Sequence, residues 1–136
     1  MSNPPFKFSI NIDGSMPVYV QIENLVQYAI ASGHYGPGDT LPSVREMSET
    51  LGINPNTVTK SYRDLELMKM VRSRRGVGVM VTDEAPAICI RDARLKAEYS
   101  LRDSVAECVV SGIKVADVRR IVKEAIESGE TPYLVR

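Results

Sequence analysis

The chain has 136 residues and a mass of 15.0 kDa, with 43% hydrophobic and 25% charged residues. These are the proportions of a globular chain of one domain, or of a compact domain with an appendage, so disorder is not the default. Lys and Arg total 17 against 17 Asp and Glu, so net charge neither requires nor excludes a polyanionic partner and local charge must decide.

No apolar run approaches the roughly 20 residues that span a bilayer. The opening MSNPPFKFSI lacks the charged-then-apolar order of a signal peptide, so a cytoplasmic protein without a membrane partner is expected. Cys89 and Cys108 stand far apart, with no CxxC pair and no clustered histidine, which leaves no redox or zinc motif and predicts buried free thiols. No nucleophile–base pair, phosphate loop or paired-acid motif is written in the chain, so no enzyme and no cofactor is expected.

In chain order, FKFSINID (positions 6–13) partly alternates and predicts a short strand within an N-terminal extension over 1–15. Ser15 and Pro17 supply helix-start chemistry, and Val18, Ile22, Leu25, Val26, Ala29 and Ile30 recur at helical spacing up to Gly33, placed as a C-terminal cap. GHYGPGDTLP is rich in turn formers, with room for a short strand at Thr40 and Leu41; His34 is expected exposed in this loop. Ser43-Val44-Arg45-Glu46 is an S-x-x-E capping box, in which hydroxyl and carboxylate satisfy backbone amides at a second helix start. Val44, Met47 and Leu51 then face inward, and Gly52 ends the helix.

The third helix opens INPNTVTKSYRDLE, with Asn54 as N-cap and Pro55 at the first helical position, where a missing donor costs least. Ile53 and Val58 have the spacing of a hydrophobic staple. Val58, Tyr62 and Leu65 share one face, while Asn56, Thr59, Lys60 and Arg63 fall on the opposite one. MVRSRRGVGVMV reads as a hairpin, Met70–Arg74 and Val79–Thr82 around a turn at Arg75–Gly78. TDEAP marks a boundary near position 84; beyond it a long helix over Ala87–Ser111 and a final helix ending near Gly129 form the segment 85–136. Met47, Met68 and Met70 are expected as core filler, and Tyr62 as core.

Helix, helix, tight glycine turn, helix and basic hairpin outline a winged helix-turn-helix domain over 16–84. The fold expected is mainly α with a small β-hairpin, followed by a two-helix C-terminal dimerisation segment. In such a module the third helix enters the major groove of DNA and the preceding helix crosses the phosphate backbone. The residue types suit that place: Asn pairs with adenine, Thr offers a hydroxyl and a methyl, and Arg pairs with guanine. Between Lys69 and Gly78 there are four basic residues, Lys69, Arg72, Arg74 and Arg75, and no acid, with Lys60 and Arg63 on the same side. Gly76 and Gly78 let the hairpin tip approach a groove, and Arg74 and Arg75 suit phosphate or minor-groove contact. The competing reading is a winged helix that binds another protein; it calls for an apolar patch where this wing carries arginines.

The stretch GHYGPGDTLPSVREMSETLGINPNTVTKSYRDLELMKMVRSRRGVG, with its PGD turn, its LPS-x-RE and its R-x-G-x-G wing, resembles the winged helix domain of GntR-family transcriptional regulators. The resemblance runs almost without gaps from Met16 to about Thr82. It implies phosphate contacts from Ser43 and Arg45, groove contacts from Asn54, Asn56, Thr57 and Thr59, and wing contacts from Arg74, Arg75 and Gly76. Relatives often carry arginine where this chain has Pro55 and Thr59.

The NPNTV start of the third helix and the short tail, about 50 residues after Pro86, are similar to the YtrA-like subfamily, which implies a homodimeric repressor of a double-stranded DNA operator. A long apolar helix followed by a short amphipathic one cannot hide its surface in so thin a layer, so pairing with a second copy is expected, and a symmetric dimer reads a palindrome. A small-molecule effector of unknown identity has room only between dimer helices.

Overall fold

The computed structural model describes residues 6–129. Its elements are α1 (Val18–Ala31), α2 (Val44–Leu51), α3 (Pro55–Leu67), β1 (Val71–Arg74), β2 (Gly78–Val81), α4 (Ala85–Val110) and α5 (Val115–Ser128). The fold is thus mainly helical with one two-stranded antiparallel sheet.

α1 is the centre of the head. It packs against both α3 and α4, and its buried set, Ile22, Glu23, Leu25, Val26, Gln27, Ala29 and Ile30, wraps most of its circumference, as a helix covered on two sides requires. Ser15 does not cap it. Pro17 takes the cap position without a side-chain bond, and its carbonyl accepts from both Val20 and Gln21 amides at 3.1 Å. At the far end His34 N–H donates to Ala29 O (2.9 Å) and Gly33 N–H to Ile30 O (3.1 Å), a Schellman closure.

The capping box at α2 forms in full: Glu46 N–H donates to Ser43 Oγ (3.0 Å) and Ser43 N–H to Glu46 Oε1 (3.1 Å). Met47 is fully buried and Gly52 closes the helix in the left-handed region. At α3 the Asn54 Oδ1 accepts from Asn56 N–H at 2.8 Å with Pro55 in the first turn. Ile53 packs on the cluster that contains Val58, which keeps the angle between α2 and α3. α3 ends on Lys69 at φ 64°, a conformation usually given to glycine. Met70 N–H to Leu65 O and Lys69 N–H to Glu66 O, both 3.0 Å, hold it there, and Thr82 Oγ1 donates to Lys69 O at 2.7 Å.

The hairpin pairs Val71 with Val81, Arg72 with Met80, Ser73 with Val79 and Arg74 with Gly78. Its first strand begins one residue later than the pattern predicts and its second ends one earlier. The short strand expected at Thr40 and Leu41 is a single bridge, Thr40 to Met80, supported by Leu41 N–H to Val79 O at 2.8 Å.

The strand expected over positions 6–13 does not form. Apart from a bridge at Phe6 the segment is irregular, and at Asn11 a side chain, not a strand, satisfies the backbone. Gln21 accepts from Asn11 N–H (2.7 Å) and donates to Asn11 O (2.9 Å) and Met16 O (2.8 Å). The rings of this arm also pull His34 inward: Phe6 stacks edge-on with Phe8 (5.2 Å) and with His34 (5.6 Å). His34 is therefore half-buried, with Nδ1 2.7 Å from Ser32 Oγ, and not the exposed loop residue expected.

The core joins Ile22, Val26, Ile30, Leu41, Met47, Val58, Tyr62, Leu65, Met70, Val71, Val81, Ala85 and Cys89. Met47 and Met70 fill it as expected, whereas Met68, in the cap of α3, is 38% exposed. α4 starts two residues before the pattern predicts. It buries Ala85, Cys89 and Ala93, and beyond Ala93 its residues are exposed apart from half-buried Val105 and Cys108. Cys108 is thus not fully buried. α5 packs on this outer part of α4.

Candidate nucleic-acid interface

The apolar face of α3 is seated by three kinds of contact. Val58 and Leu65 are fully buried. Ser61 Oγ, also fully buried, lies 2.9 Å from Tyr19 O on α1 and 3.1 Å from Thr57 O. Tyr62 Oη donates to Pro42 O at 2.6 Å, tying the middle of α3 to the chain entering α2; burial pushes its phenol well above the ordinary range. At the other end Glu66 Oε2 accepts from Ser73 N–H at 2.6 Å, so the wing leans on the last turn of α3.

With that face buried, the opposite one is open. Asn54, Asn56, Thr59, Lys60 and Arg63 are exposed, while Thr57 is half-buried. Two of these side chains are partly engaged: Asn54 Oδ1 is taken by the cap, and Thr59 Oγ1 donates to Pro55 O at 3.1 Å. Lys60 leans toward α1, with Nζ 3.4 Å from Asp64 Oδ2 and 4.5 Å from the centre of the Tyr19 ring. Asn56 makes no side-chain hydrogen bond among the described residues and stands in the first turn, where amide donors and the helix dipole favour an anion.

Ser43 is exposed, its hydroxyl accepting in the capping box. Arg45, with its side chain 87% exposed, pairs with Glu49 at 3.1 Å, an exposed i,i+4 contact worth about 0.3–0.5 kcal/mol, which a phosphate easily replaces. On the wing, Arg72, Arg74 and Arg75 are exposed. Val77 N–H donates to Arg74 O at 3.0 Å, and this turn is closed by Gly76 at φ 79°. Gly78 has φ 117°, and a Cβ there would stand 3.3 Å from Thr40 Cγ2, so the wing root tolerates no larger residue without shifting.

Tyr62–Pro42 and Glu66–Ser73 place the start of α2, the open face of α3 and the wing as neighbours. These two ties, and Ser61 on α1, are what the pattern reading missed. A small hydroxyl between Val58 and Leu65 on an apolar face was the signal for Ser61; nothing local marks Glu66. Among the described residues no group of three or more His, Cys, Asp or Glu could hold a metal ion, and no helix is long and apolar enough to cross a membrane.

Residues 18–81 match the family described as bacterial regulatory proteins, gntR family. Along most of its length the chain is similar to the HTH-type transcriptional repressor YtrA of Bacillus subtilis, 30% identical over 117 residues covering 85% of this chain and 90% of that protein. It is also similar to the uncharacterized HTH-type regulator YhcF of the same organism, 38% identical over 115 residues covering 85% and 94%. A GntR family transcriptional regulator from Listeria monocytogenes has a similar structure, with TM-score 0.62 and 30% identity over 83% of this chain and 98% of that one. The winged helix and the likeness that continues through the helical tail agree: the chain belongs to the gntR family of bacterial regulatory proteins, in its YtrA-like branch.

Proposed function

We propose that the chain is a cytoplasmic, homodimeric repressor that binds a palindromic operator, with α3 in the major groove and the wing on the backbone or minor groove. The observation that carries this reading is the open polar tip of α3, Asn56, Thr57 and Thr59, held by buried ties on its other face and flanked by exposed Arg74 and Arg75. In this reading α3 presents Asn54, Asn56, Thr57, Thr59, Lys60 and Arg63 to the major groove, Ser43 and Arg45 contact phosphate, and Arg74, Arg75 and Gly76 lie on the backbone or minor groove. The repressor assignment is supported by its relative YtrA, a transcriptional repressor.

Pairing through the tail is supported by its surface. Leu95, Tyr99, Leu101, Val109 and Val110 on α4 and Ile121 and Ile126 on α5 are all more than two-fifths exposed. An apolar cleft lined by Val105, Val118, Val122 and Ile126 runs between the two helices. A surface of this kind is ordinarily covered by a partner, and a second copy related by a two-fold axis gives two reading heads for two half-sites.

Selection of bound fragments from genomic DNA, followed by sedimentation of the free and bound protein, tests both halves. A palindromic site bound by a two-chain species is expected. A monomer in solution, or fragments without a shared sequence, would refute the reading.

A further inference from the structure

α4 leaves the head along a smooth seam. Its buried residues there, Ala85, Cys89 and Ala93, recur at every fourth position, and all three are small. Small side chains let two helices approach closely but interdigitate little, so this seam sets the distance between α4 and α1 better than the angle. Beyond Ala93 the helix continues to Val110, about 25 Å further at ~1.5 Å per residue, and carries the tail away from the head.

Lys96 stands one turn past Ala93 on the same stripe of α4. The residue is exposed, yet its ammonium reaches back to α1, where Nζ donates to Gln27 Oε1 at 3.1 Å and to Asn24 Oδ1 at 3.3 Å. Gln27 is 2% exposed, so loss of Lys96 leaves its carbonyl oxygen where solvent barely enters. Asn24 is half-buried, and its amide donates to Met16 Sδ at 3.4 Å, which turns Oδ1 toward α4. Asn24 and Gln27 are three positions apart and therefore neighbours on the surface of α1. One ammonium thus spans two anchors and resists a roll that the small seam does not. The ion pairs of α4, by contrast, stay within the helix, Arg91 with Asp92 and Arg102 with Glu98.

We propose that the fork of Lys96 onto Gln27 and Asn24 sets the angle between the head and α4, which makes Lys96 a positioning residue for the separation of the two reading helices in the dimer. The part that concerns DNA rests on the function proposed above; the fork itself does not. α3 packs on α1, which places it up to two helix spacings from α4, or about 20 Å. A rotation of about 10° at the seam then carries α3 by about 3.5 Å, close to the rise of one base pair, and a two-fold dimer applies it to both heads. A head held at one angle accepts one half-site spacing, whereas a head free to roll accepts several.

The test uses the full chain and three variants. K96M keeps the apolar stem and removes the ammonium, K96R keeps the charge and can still donate to both oxygens, and Q27M breaks the fork from α1. Affinity is measured for the palindromic duplex selected by the wild type and for versions with one or two base pairs inserted or removed between the half-sites. The preference of the wild type for its own spacing should shrink about tenfold in K96M, the worth of one hydrogen bond to a charged group. K96R should restore it. Q27M should repeat the loss, and the double variant K96M/Q27M should be no flatter than either single one. If Q27M does not fold, N24L, at a half-buried position, takes its place. Loss of a positive charge, or of general stability, weakens every duplex alike and leaves the preference unchanged. Residual dipolar couplings of backbone amides in α1 and in the outer half of α4 should fit one alignment frame in the wild type and two in K96M.

A single frame in K96M overturns the fork as what sets the angle. Spacing profiles that run parallel in the wild type and K96M overturn its link to DNA. If the wild type binds no palindrome, the proposed function fails and the fork is decided by the dipolar couplings alone.

Discussion

Asn54 and Asn56 are both amides in the tip of α3, two positions apart, and the structure gives them different work. Asn54 Oδ1 accepts from Asn56 N–H at 2.8 Å, an N-cap bond, whereas the Asn56 side chain bonds nothing among the described residues. Asn54→Ala should therefore cost about 1 kcal/mol of folding stability, within the ~0.5–2 kcal/mol seen for lost caps. For a chain of this size that lowers Tm by roughly 3–5 °C. Asn56→Ala leaves the cap donor, a backbone amide, untouched and should stay within about 0.5 kcal/mol of wild type. Its cost falls on recognition, about 1–3 kcal/mol of discrimination, or roughly 5-fold to 150-fold between a selected duplex and a scrambled one.

Thermal melts and fluorescence anisotropy on both duplexes separate the two effects. Equal weakening of both duplexes by Asn56→Ala, or an Asn54→Ala variant that melts with the wild type, would refute this division of roles.

Arg75 is exposed in the wing turn, so Arg75→Ala should weaken selected and scrambled duplexes alike and reduce the log–log salt slope by about 0.9 per half-site contact, as titration with KCl will show. Lys69 holds φ 64°; Lys69→Gly should relieve that strain and raise stability by up to about 1 kcal/mol, read as a higher denaturant midpoint at unchanged slope. Tyr62→Phe removes the 2.6 Å bond to Pro42 O and should cost about 1–2 kcal/mol while leaving the apolar packing of the ring intact. Stability should also depend on pH through Glu23. Its folded value, about 7, lies above its ordinary 4.5, so the folded state holds a proton the unfolded chain has released. Stability then falls as pH rises between those values and levels off above them, while Asp64, shifted the other way, loses its contribution only at the acid end. Melting curves that are flat from about pH 5 to about pH 7 would contradict this sign.

The heads and ends of the helices were readable from sequence because they depend on residues one to four apart. The Ser43–Glu46 box, the Asn54–Pro55 start and the wing turn each close their hydrogen bonds within such a span, and turn chemistry at that range outweighs the rest of the chain. The open face of α3 was equally legible, since burying Val58, Tyr62 and Leu65 on one side leaves Asn56, Thr59, Lys60 and Arg63 on the other.

Most of the corrected readings needed a distant partner, though Ser15 at the start of α1 and Met68 at the end of α3 were local. Alternation in positions 6–13 suggests a strand, but at Asn11 both backbone groups pair with Gln21, ten residues beyond, and not with a neighbouring strand. His34 went inward because Phe6 lay over it, and Lys60 turned toward Tyr19, 41 positions away in the chain.

Local sequence determined where α2 and α3 start, where α2 stops and where the wing turns, and which residues the third helix offers. Tertiary structure alone decided how that helix is seated: Ser61 on Tyr19, Tyr62 on Pro42 and Glu66 on the wing. The physical reason is that a cap is specified by spacing along one chain segment, whereas burial and the hydrogen bonds it demands exist only once separate helices pack.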